Sequence, residues 1–492
     1  MKPALNFRMI MVILSLAAVI LGATMLIGLI CSFVYGEQDM AKIFFSLMVI
    51  FAVGGYFGIR VFRRKLKAQS IKIREGILAV TLCWVFAAAL GALPYLLAGS
   101  HTSFIDAFFE STACITTTGS TLVDNLADLP KSLLFWRMFT NWVGGLGIII
   151  FATSIIPMLG FGAANLASAE TPVQTLDNIR ARVSDTARTI VALFLVFTLA
   201  QIVLLAAGCT GFYDAFILSF SSMGNGGFAT YNANSMLAGN IYVEAVIGVF
   251  CVIAAISFVS YKLLLKRQFG EFFRVVEIRL YLIMLVVICA LVVAILAASG
   301  TYGSGFEAAR YGVFQTISFA TTAGYSGTDF SIWPKATYWL LIMVMIVGGC
   351  SGSTTGGVKV VRAAVAMAII RRSIYKRLHP NAVVEVKLGD KTISADRVSS
   401  IASFMIIYAV VVLVSAFALS FENMEVETTL GTVMAMLSNT GLVIGPELGA
   451  GESFAMFSQF SRLYMSILMI AGRLELLTIV LLFSPAFWRP YR

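Results

Sequence analysis

The chain has 492 residues, of which 59% are hydrophobic and only 12% are charged, and its formal net charge is +10. A soluble protein carries about 25% charged residues, so this composition excludes an ordinary soluble chain. Apolar runs of about 20 residues recur throughout and predict an all-α polytopic membrane protein; a β-barrel would show weak alternation in short segments instead. The positive charge lies between apolar runs, where it sets topology, so no nucleic-acid partner is expected.

The first two apolar runs, about residues 9–33 and 44–61, predict a transmembrane hairpin. The first run is too long for a signal peptide and has no small-residue cleavage site, so we interpret it as an uncleaved helix. The following loop holds seven Lys and Arg residues between Arg60 and Arg74, which predicts a cytoplasmic loop and a cytoplasmic N-terminus. Binding of lipid headgroups by this loop is the less favoured alternative.

After the hairpin, one pattern occurs four times: a long apolar run, a short apolar segment, a glycine loop and a second long run. The short segments, about 104–114, 214–222, 307–319 and 428–437, cannot cross about 30 Å of hydrocarbon and are predicted to re-enter on one side. This predicts four membrane helix–pore helix–filter loop–membrane helix repeats around a pseudo-fourfold pore. The predicted units are a hairpin with its basic loop and four pore repeats: 1–75, 76–185, 186–277, 278–395 and 396–492.

Each glycine loop has a small polar residue, a small residue and then a glycine. The four loops are Thr117-Thr118-Gly119, Asn225-Gly226-Gly227, Thr322-Ala323-Gly324 and Asn439-Thr440-Gly441. Non-helical backbone survives at membrane depth only when it is buried in protein or lines a water-filled path. Four such loops on one axis can offer carbonyl oxygens in place of the hydration shell of an alkali cation, as in potassium-channel filters. The alternative, that these are turn or helix-packing glycines, does not explain their fourfold context.

Charge supports this threading, because the predicted inside loops hold most of the Lys and Arg residues, and both termini are therefore expected in the cytoplasm. The predicted outside segments are acidic, which would raise the local concentration of cations. Their acidic residues are Glu37, Asp39, Asp106, Glu110, Asp124, Asp128, Asp214, Glu244, Glu422, Glu425, Glu427, Glu447 and Glu452.

The second long run of the third repeat is interrupted about 15 Å into the membrane by a glycine-rich stretch. Its residues are Gly348, Gly349, Cys350, Ser351, Gly352, Ser353, Thr354, Thr355, Gly356 and Gly357. No Gly-Lys-Ser/Thr follows, so it is not a nucleotide-binding P-loop. We predict an intramembrane loop that gates the pore; a packing kink is the alternative.

Arg473 lies deep in the last apolar run, and an arginine inside the membrane is a functional candidate because its burial is costly. We predict that it stands in the cavity below the loops as a positive barrier to cations. The alternative is a structural pair with a carboxylate, although Glu475 is badly spaced for it on one helix. For Lys359, snorkelling to the inner boundary is the favoured interpretation.

These four units, each with a single loop glycine, resemble the Trk/Ktr/HKT superfamily of potassium transporters, and within it the TrkH class of bacterial Trk uptake subunits. The resemblance covers nearly the whole chain, including the N-terminal hairpin. It implies potassium held in a filter at Gly119, Gly227, Gly324 and Gly441, and a homodimer with one pore per protomer. It also implies a cytoplasmic regulatory partner that binds a nucleotide, either NAD or ATP/ADP, and a location in the bacterial inner membrane.

The sequence therefore predicts potassium uptake, with potassium as the only metal and no cofactor in this chain. No catalytic constellation is visible, so no enzyme is expected. A secondary transporter of another small solute would have two related halves of opposite orientation, whereas these four units share one. Channel and proton- or sodium-coupled symporter are not separated at this point.

Overall fold

The computed structural model describes residues 5–64, 73–150, 176–208, 211–229, 239–389, 391–449 and 453–489. Within these ranges, seven helices are long and apolar enough to cross a membrane, or eight when one sharply bent pair counts as a single span. This helical, polytopic architecture confirms the predicted fold class. A two-stranded antiparallel sheet, β1 (Lys387–Leu388) with β2 (Lys391–Thr392), is a small exception outside the long helices.

The N-terminal hairpin consists of α1 (Phe7–Val34) and α2 (Gln38–Arg63). Small residues let the two helices approach closely: a Cβ added to Gly55 would lie 2.6 Å from the carbonyl oxygen of Ser15. The hairpin turn is fixed to the first repeat by Glu37, whose carboxylate accepts hydrogen bonds from the amides of Lys131 and Ser132 at 2.7 and 3.1 Å. These amides begin a helix, where an acidic group is favourable.

In each repeat a long helix is followed by a short helix and then by a further helix, and this further helix is long enough to span only in the first repeat, since α9, α14 and α18 have 15, 13 and 15 residues. The first repeat comprises α3 (Ile73–Gly91), α4 (Leu93–Leu97), α5 (Phe104–Ile115) and α6 (Lys131–Ile150). The second comprises α7 (Leu176–Ala207), α8 (Phe212–Gly224), α9 (Ile241–Ala255), α10 (Tyr261–Leu265) and α11 (Phe269–Arg274).

The third repeat comprises α12 (Val276–Ser299), α13 (Gly305–Ala320), α14 (Lys335–Val347) and α15 (Val360–Leu378). The fourth comprises α16 (Ala395–Leu419), α17 (Val426–Leu437), α18 (Gln459–Arg473), α19 (Leu476–Phe483) and α20 (Pro485–Trp488). One apolar core cluster collects around the ends of the short helices, and it includes the fully buried residues Cys114, Ala320, Met436 and Met465.

Two predicted continuous spans are broken. The span expected over 241–265 ends as α9 at Ala255, because the carbonyls of Ala254 and Ala255 accept hydrogen bonds from Thr354 and Cys350 of the glycine-rich stretch. The span expected over 454–483 is divided into α18 and α19, which meet at an angle of 114°. Glu475 lies in this break with a φ of +58°.

At three of the four junctions between repeats, an ion pair joins the helix after the loop of one repeat to the short helix of the next. Glu244 of α9 forms two hydrogen bonds of 2.7 Å with Arg310 of α13. Lys335 of α14 pairs with Glu427 of α17 at 3.0 Å. Arg462 of α18 pairs with Asp106 of α5 at 2.5 Å and so joins the fourth repeat to the first.

These contacts correct part of the acidic outer face predicted from the sequence. Asp106, Glu110 and Glu244 are buried and paired with arginines, so they add no free negative charge there. An acidic residue between apolar runs can serve a helix junction as well as the aqueous surface, and composition does not distinguish these two roles.

Candidate functional site

The four short helices α5, α8, α13 and α17 end in the same hydrogen-bonded turn. In α5, the amide of Thr118 donates to the carbonyl of Ala113 at 2.9 Å, and the amide of Thr117 donates to that of Cys114 at 3.0 Å. The same pair of bonds occurs at corresponding positions in the other three helices. This is the Schellman arrangement, which requires a left-handed residue after the helix and reverses the chain there.

The first residue of each glycine loop supplies this left-handed conformation. The φ values are +56° for Thr117, +57° for Asn225, +52° for Thr322 and +53° for Asn439. A β-branched threonine in this region is uncommon, so Thr117 and Thr322 hold strained conformations that the surrounding structure maintains. The glycine two residues later also has a positive φ: +90° at Gly119, +61° at Gly227, +76° at Gly324 and +73° at Gly441.

The four glycines meet in a closed ring, each against the backbone of the next repeat. A Cβ added to Gly119 would lie 2.2 Å from the carbonyl oxygen of Gly226. The corresponding distances are 2.4 Å from Gly227 to Ala323 and 2.1 Å from Gly324 to Thr440. The fourth contact, 2.1 Å from Gly441 to Thr118, returns to the first repeat. No side chain fits at any of the four positions without displacing a carbonyl group.

The second loop contains two glycines, and its geometry distinguishes them. Gly227 has the positive φ and the ring contact that the other loop glycines have. Gly226 occupies the middle position, where an added Cβ would lie 1.8 Å from Oδ1 of Asn141 in α6. Asn141 also donates hydrogen bonds to the carbonyls of Phe220 and Ser221 at 3.3 and 3.1 Å, so it supports the end of α8.

A cavity of about 70 Å³ opens beside the ring, and all four loop glycines line it together with Arg137 of α6. The Arg137 side chain is fully buried, and its Nη2 donates to Oε1 of Glu110 and, at 3.0 Å, to Oγ1 of Thr121. Its Cζ lies 4.7 Å from the centre of the Phe228 ring. Sequence reasoning missed this pair, although an arginine inside an apolar run is the signal that singled out Arg473.

The glycine-rich stretch joins α14 to α15 and lies directly against the glycine loops. The amide of Gly356 donates to Oγ1 of Thr322 at 2.8 Å. A Cβ added to Gly356 would lie 1.8 Å from the carbonyl oxygen of Ser438, which immediately precedes the fourth loop. The amide of Ser351 donates to Oε1 of Glu277 at 2.6 Å, which ties the other side of the stretch to α12.

Thr354 is the residue through which this stretch contacts both the second and the fourth repeat. Its hydroxyl donates to the carbonyl of Ala254 at 3.0 Å and accepts from Nδ2 of Asn225 at 2.9 Å. Its carbonyl accepts a hydrogen bond from Nη1 of Arg473 at 2.7 Å. The predicted gate residues and Arg473 therefore lie together, next to the loops.

Arg473 ends α18 and is buried, with a second contact from Nη2 to the carbonyl of Gly144 at 3.5 Å. Among the described residues it forms no ion pair; Glu475 pairs with Arg362 instead. Lys359 does not snorkel as expected, because its Nζ donates to the carbonyl of Thr355 and, at 3.0 Å, to the Thr355 hydroxyl. Lys359 has a φ of +80° and stabilises the end of the glycine-rich stretch, immediately before α15.

Comparison with known proteins identifies the family. The TrkH family model, described as "Cation transport protein", matches residues 39–489. The chain belongs to the TrkH family. Membership in this family confirms the resemblance seen in the sequence, and it makes the chain a transport protein and not an enzyme.

Individual TrkH-family proteins resemble the chain over its whole length. The Trk system potassium uptake protein TrkH of Salmonella typhimurium is 33% identical over 99% of this chain and all of that protein. TrkG of Escherichia coli, also a Trk system potassium uptake protein, is 29% identical over 95% of both chains. The crystal structure of the potassium transporter TrkH from Vibrio parahaemolyticus superposes with a TM-score of 0.88 at 30% identity, covering 98% of this chain and all of that one.

Proposed function

We propose that this chain carries potassium uptake across the bacterial inner membrane through a selectivity filter formed by its four glycine loops. The observation that carries the proposal is the closed ring in which Gly119, Gly227, Gly324 and Gly441 each abut a carbonyl of the next repeat. Such a ring brings backbone oxygens from four directions to one axis, which is what a dehydrated cation requires. The short helices end at the ring, so the negative ends of their dipoles also favour a cation there.

The Gly348–Gly357 stretch is the proposed gate, with Arg473 as its anchor. Its contacts with Thr322 and Asn225 support a position at the inner end of the proposed filter, from which it would obstruct the path to the cytoplasm. Thr354 is held by hydrogen bonds with Arg473, Asn225 and Ala254, and hydrogen bonds of this kind can be exchanged when the stretch moves. Opening then requires the stretch to exchange a small set of polar contacts, not to refold a helix.

The direct test is uptake of radioactive rubidium into proteoliposomes loaded with potassium, with competition by external potassium and sodium. Competition by potassium but not by sodium supports the proposal. Equal competition by both ions, or no uptake above protein-free liposomes, contradicts it. Imposed proton and sodium gradients distinguish a symporter from a channel. Uptake that either gradient drives against the potassium gradient indicates symport, and uptake that neither gradient affects indicates a channel.

The proposed orientation places both termini in the cytoplasm and the start of α14 outside. Lys335 and Lys376 are both exposed; the proposed orientation puts Lys335 on the outer side of the membrane and Lys376 in the cytoplasm. In intact cells, a membrane-impermeant maleimide is expected to label a K335C variant and to leave K376C unlabelled until the cells are opened. The reverse pattern contradicts the orientation.

We further propose a homodimer with a cytoplasmic, nucleotide-binding regulatory partner. The cytoplasmic half of α15 supports a partner surface, since it exposes Ile374 and Leu378 beside the basic residues Arg371 and Arg377. Native mass spectrometry of the detergent-solubilised protein tests the dimer. Pull-down of the Trk regulatory protein, with NAD, ATP or ADP present and with L378D as the disrupted control, tests the partner surface.

A further inference from the structure

A side chain in the short helices of the first and third repeats holds the segment that follows the loop glycine. Glu110 and Gln315 are fully buried and lie nine residues before Gly119 and Gly324, respectively. Oε2 of Glu110 accepts from the amide of Leu122 at 3.0 Å. The register repeats in the third unit, where Oε1 of Gln315 accepts from the amide of Gly327 at 3.4 Å.

In each case the amide held is that of the third residue after the loop glycine, so the two contacts are equivalent by position. Gln315 extends the contact, because its Nε2 donates to the carbonyl of Tyr325 at 3.3 Å. Tyr325 directly follows Gly324 and also accepts from the hydroxyl of Ser318 at 2.6 Å. The side chain therefore bridges two backbone groups just beyond the loop glycine.

The side chains at the equivalent positions of the second and fourth repeats do not make this contact in the part of the chain that the structure describes. The positions nine residues before Gly227 and Gly441 are Leu218 and Thr432. In the fourth repeat the helix backbone itself approaches the following segment, since a Cβ added to Gly431 would lie 2.3 Å from the carbonyl of Ile444. A polar side chain nine residues before the loop glycine therefore holds the following segment in the first and third repeats.

The first repeat differs from the third by carrying a charge. Glu110 needs a partner because an ionised carboxylate is not stable when buried alone. Arg137 is this partner, and it is the seventh residue of α6, which begins at Lys131 after Pro130. The corresponding position of α14, after Pro334-Lys335, is the buried Leu341, which suits the neutral Gln315.

We infer that Glu110 and Gln315 are positioning residues for ion selectivity, because each fixes the backbone immediately after its loop glycine. Arg137 keeps the Glu110 side chain ionised by pairing with it. This rests on the proposed filter. A carbonyl ring discriminates between ions only while its oxygens stay in place, so loosening the outer segment reduces selectivity more than it reduces folding. The hydrogen bond to the amide, and not the charge of Glu110, is the part that matters for the ions.

Two double variants test this hydrogen bond. E110Q/R137L reproduces in the first repeat the amide and leucine of the third, and it keeps an acceptor for Leu122. E110L/R137L removes that acceptor, together with the contacts of Glu110 with the Thr121 hydroxyl and with His101, and neither variant leaves the Glu110–Arg137 pair half removed. The readouts are the potassium-to-sodium selectivity of rubidium uptake in proteoliposomes and the thermal melting of the purified protein.

We expect E110Q/R137L to stay within about threefold of the wild-type selectivity ratio, and E110L/R137L to lose on the order of tenfold, the equilibrium factor of roughly one hydrogen bond. Q315L is expected to behave like E110L/R137L. A folded E110L/R137L or Q315L with wild-type selectivity overturns the inference, and so does an E110Q/R137L as unselective as E110L/R137L.

If neither leucine variant folds, Q315N decides, because its shorter side chain withdraws from Gly327 while remaining an amide: selectivity lost supports the inference, and selectivity retained overturns it. Failure of the proposed function is distinguishable from failure of this inference. In the former, the wild-type protein itself shows no potassium-selective uptake; in the latter, the wild type is selective and the variants match it.

Discussion

The guanidinium of Arg473 donates a hydrogen bond of 2.7 Å from Nη1 to the carbonyl oxygen of Thr354. We propose that this arginine both anchors the Gly348–Gly357 stretch and sets a positive charge beside the proposed ion path. We expect R473A to raise basal rubidium flux in the absence of any partner, because both the anchor and the electrostatic barrier are lost. R473K separates the two effects, since it keeps the charge but loses the forked donor geometry.

If the anchor dominates, R473K leaks as R473A does; if the charge dominates, R473K stays closed. A folded R473A with unchanged flux contradicts the assigned role. An R473A protein that does not fold would favour a purely structural arginine.

Gly324 has a φ of +76° and faces the carbonyl of Thr440 at a distance that leaves no room for a Cβ. We expect G324S to lose discrimination between potassium and sodium, because the serine Cβ must displace a ring carbonyl. The matched control is G303S in the same repeat, where an added Cβ meets nothing within 4 Å. Flux assays with both ions check this expectation, and selectivity equal to that of G303S would remove Gly324 from the filter.

The Gly348–Gly357 stretch is expected to limit flux by its presence. Deleting residues Gly352–Gly356 removes its contacts with Thr322 and Ser438, so basal flux should rise. T354V is a milder change of similar volume that removes the hydroxyl bonds to Ala254 and Asn225. We expect an intermediate increase for T354V; unchanged flux in both variants would leave only a packing role for the stretch.

The ion pairs between repeats differ in burial and are therefore expected to differ in their contribution to the free energy of unfolding. Glu244 is 4% exposed in its side chain and pairs with Arg310 through two hydrogen bonds. E244Q should lower the free energy of unfolding by about 1.5–3 kcal/mol, as expected for a charged hydrogen-bonded group.

The control for E244Q is E427Q, at the equivalent contact between the third and fourth repeats. Its pair is open to solvent, with 77% of the Lys335 side chain exposed, and exposed pairs contribute little. Thermal melting in detergent should therefore shift for E244Q and not for E427Q. Equal shifts would mean that these contacts act through local packing and not through charge.

Sequence patterns predicted the helical membrane fold and the order of elements in each repeat, because hydrophobic run length is a local property. They also singled out the loop glycines, since a positive φ in the loop after a helix strongly favours glycine. The choice of Gly227 among three neighbouring glycines agrees with the ring geometry of the second loop.

Local patterns failed where long-range contacts decide the structure. The end of α9 at Ala255 depends on amides almost a hundred residues away in the Gly348–Gly357 stretch, and nothing in the apolar sequence around 256–260 signals it. The buried pair of Glu110 and Arg137 was missed for a different reason. By sequence alone Glu110 is one of the acidic residues between apolar runs, and nothing local indicates that Arg137 of the next helix is its partner.

The ring of loop glycines is encoded once per chain, with four different neighbourhoods and not four identical copies. In a homotetrameric channel a single codon change alters every quadrant of the pore at once. Here a single substitution alters one quadrant and leaves three intact, so each substitution can change ion selectivity by a small amount. Selectivity in such a protein can be tuned during evolution, or by an engineer, one loop at a time.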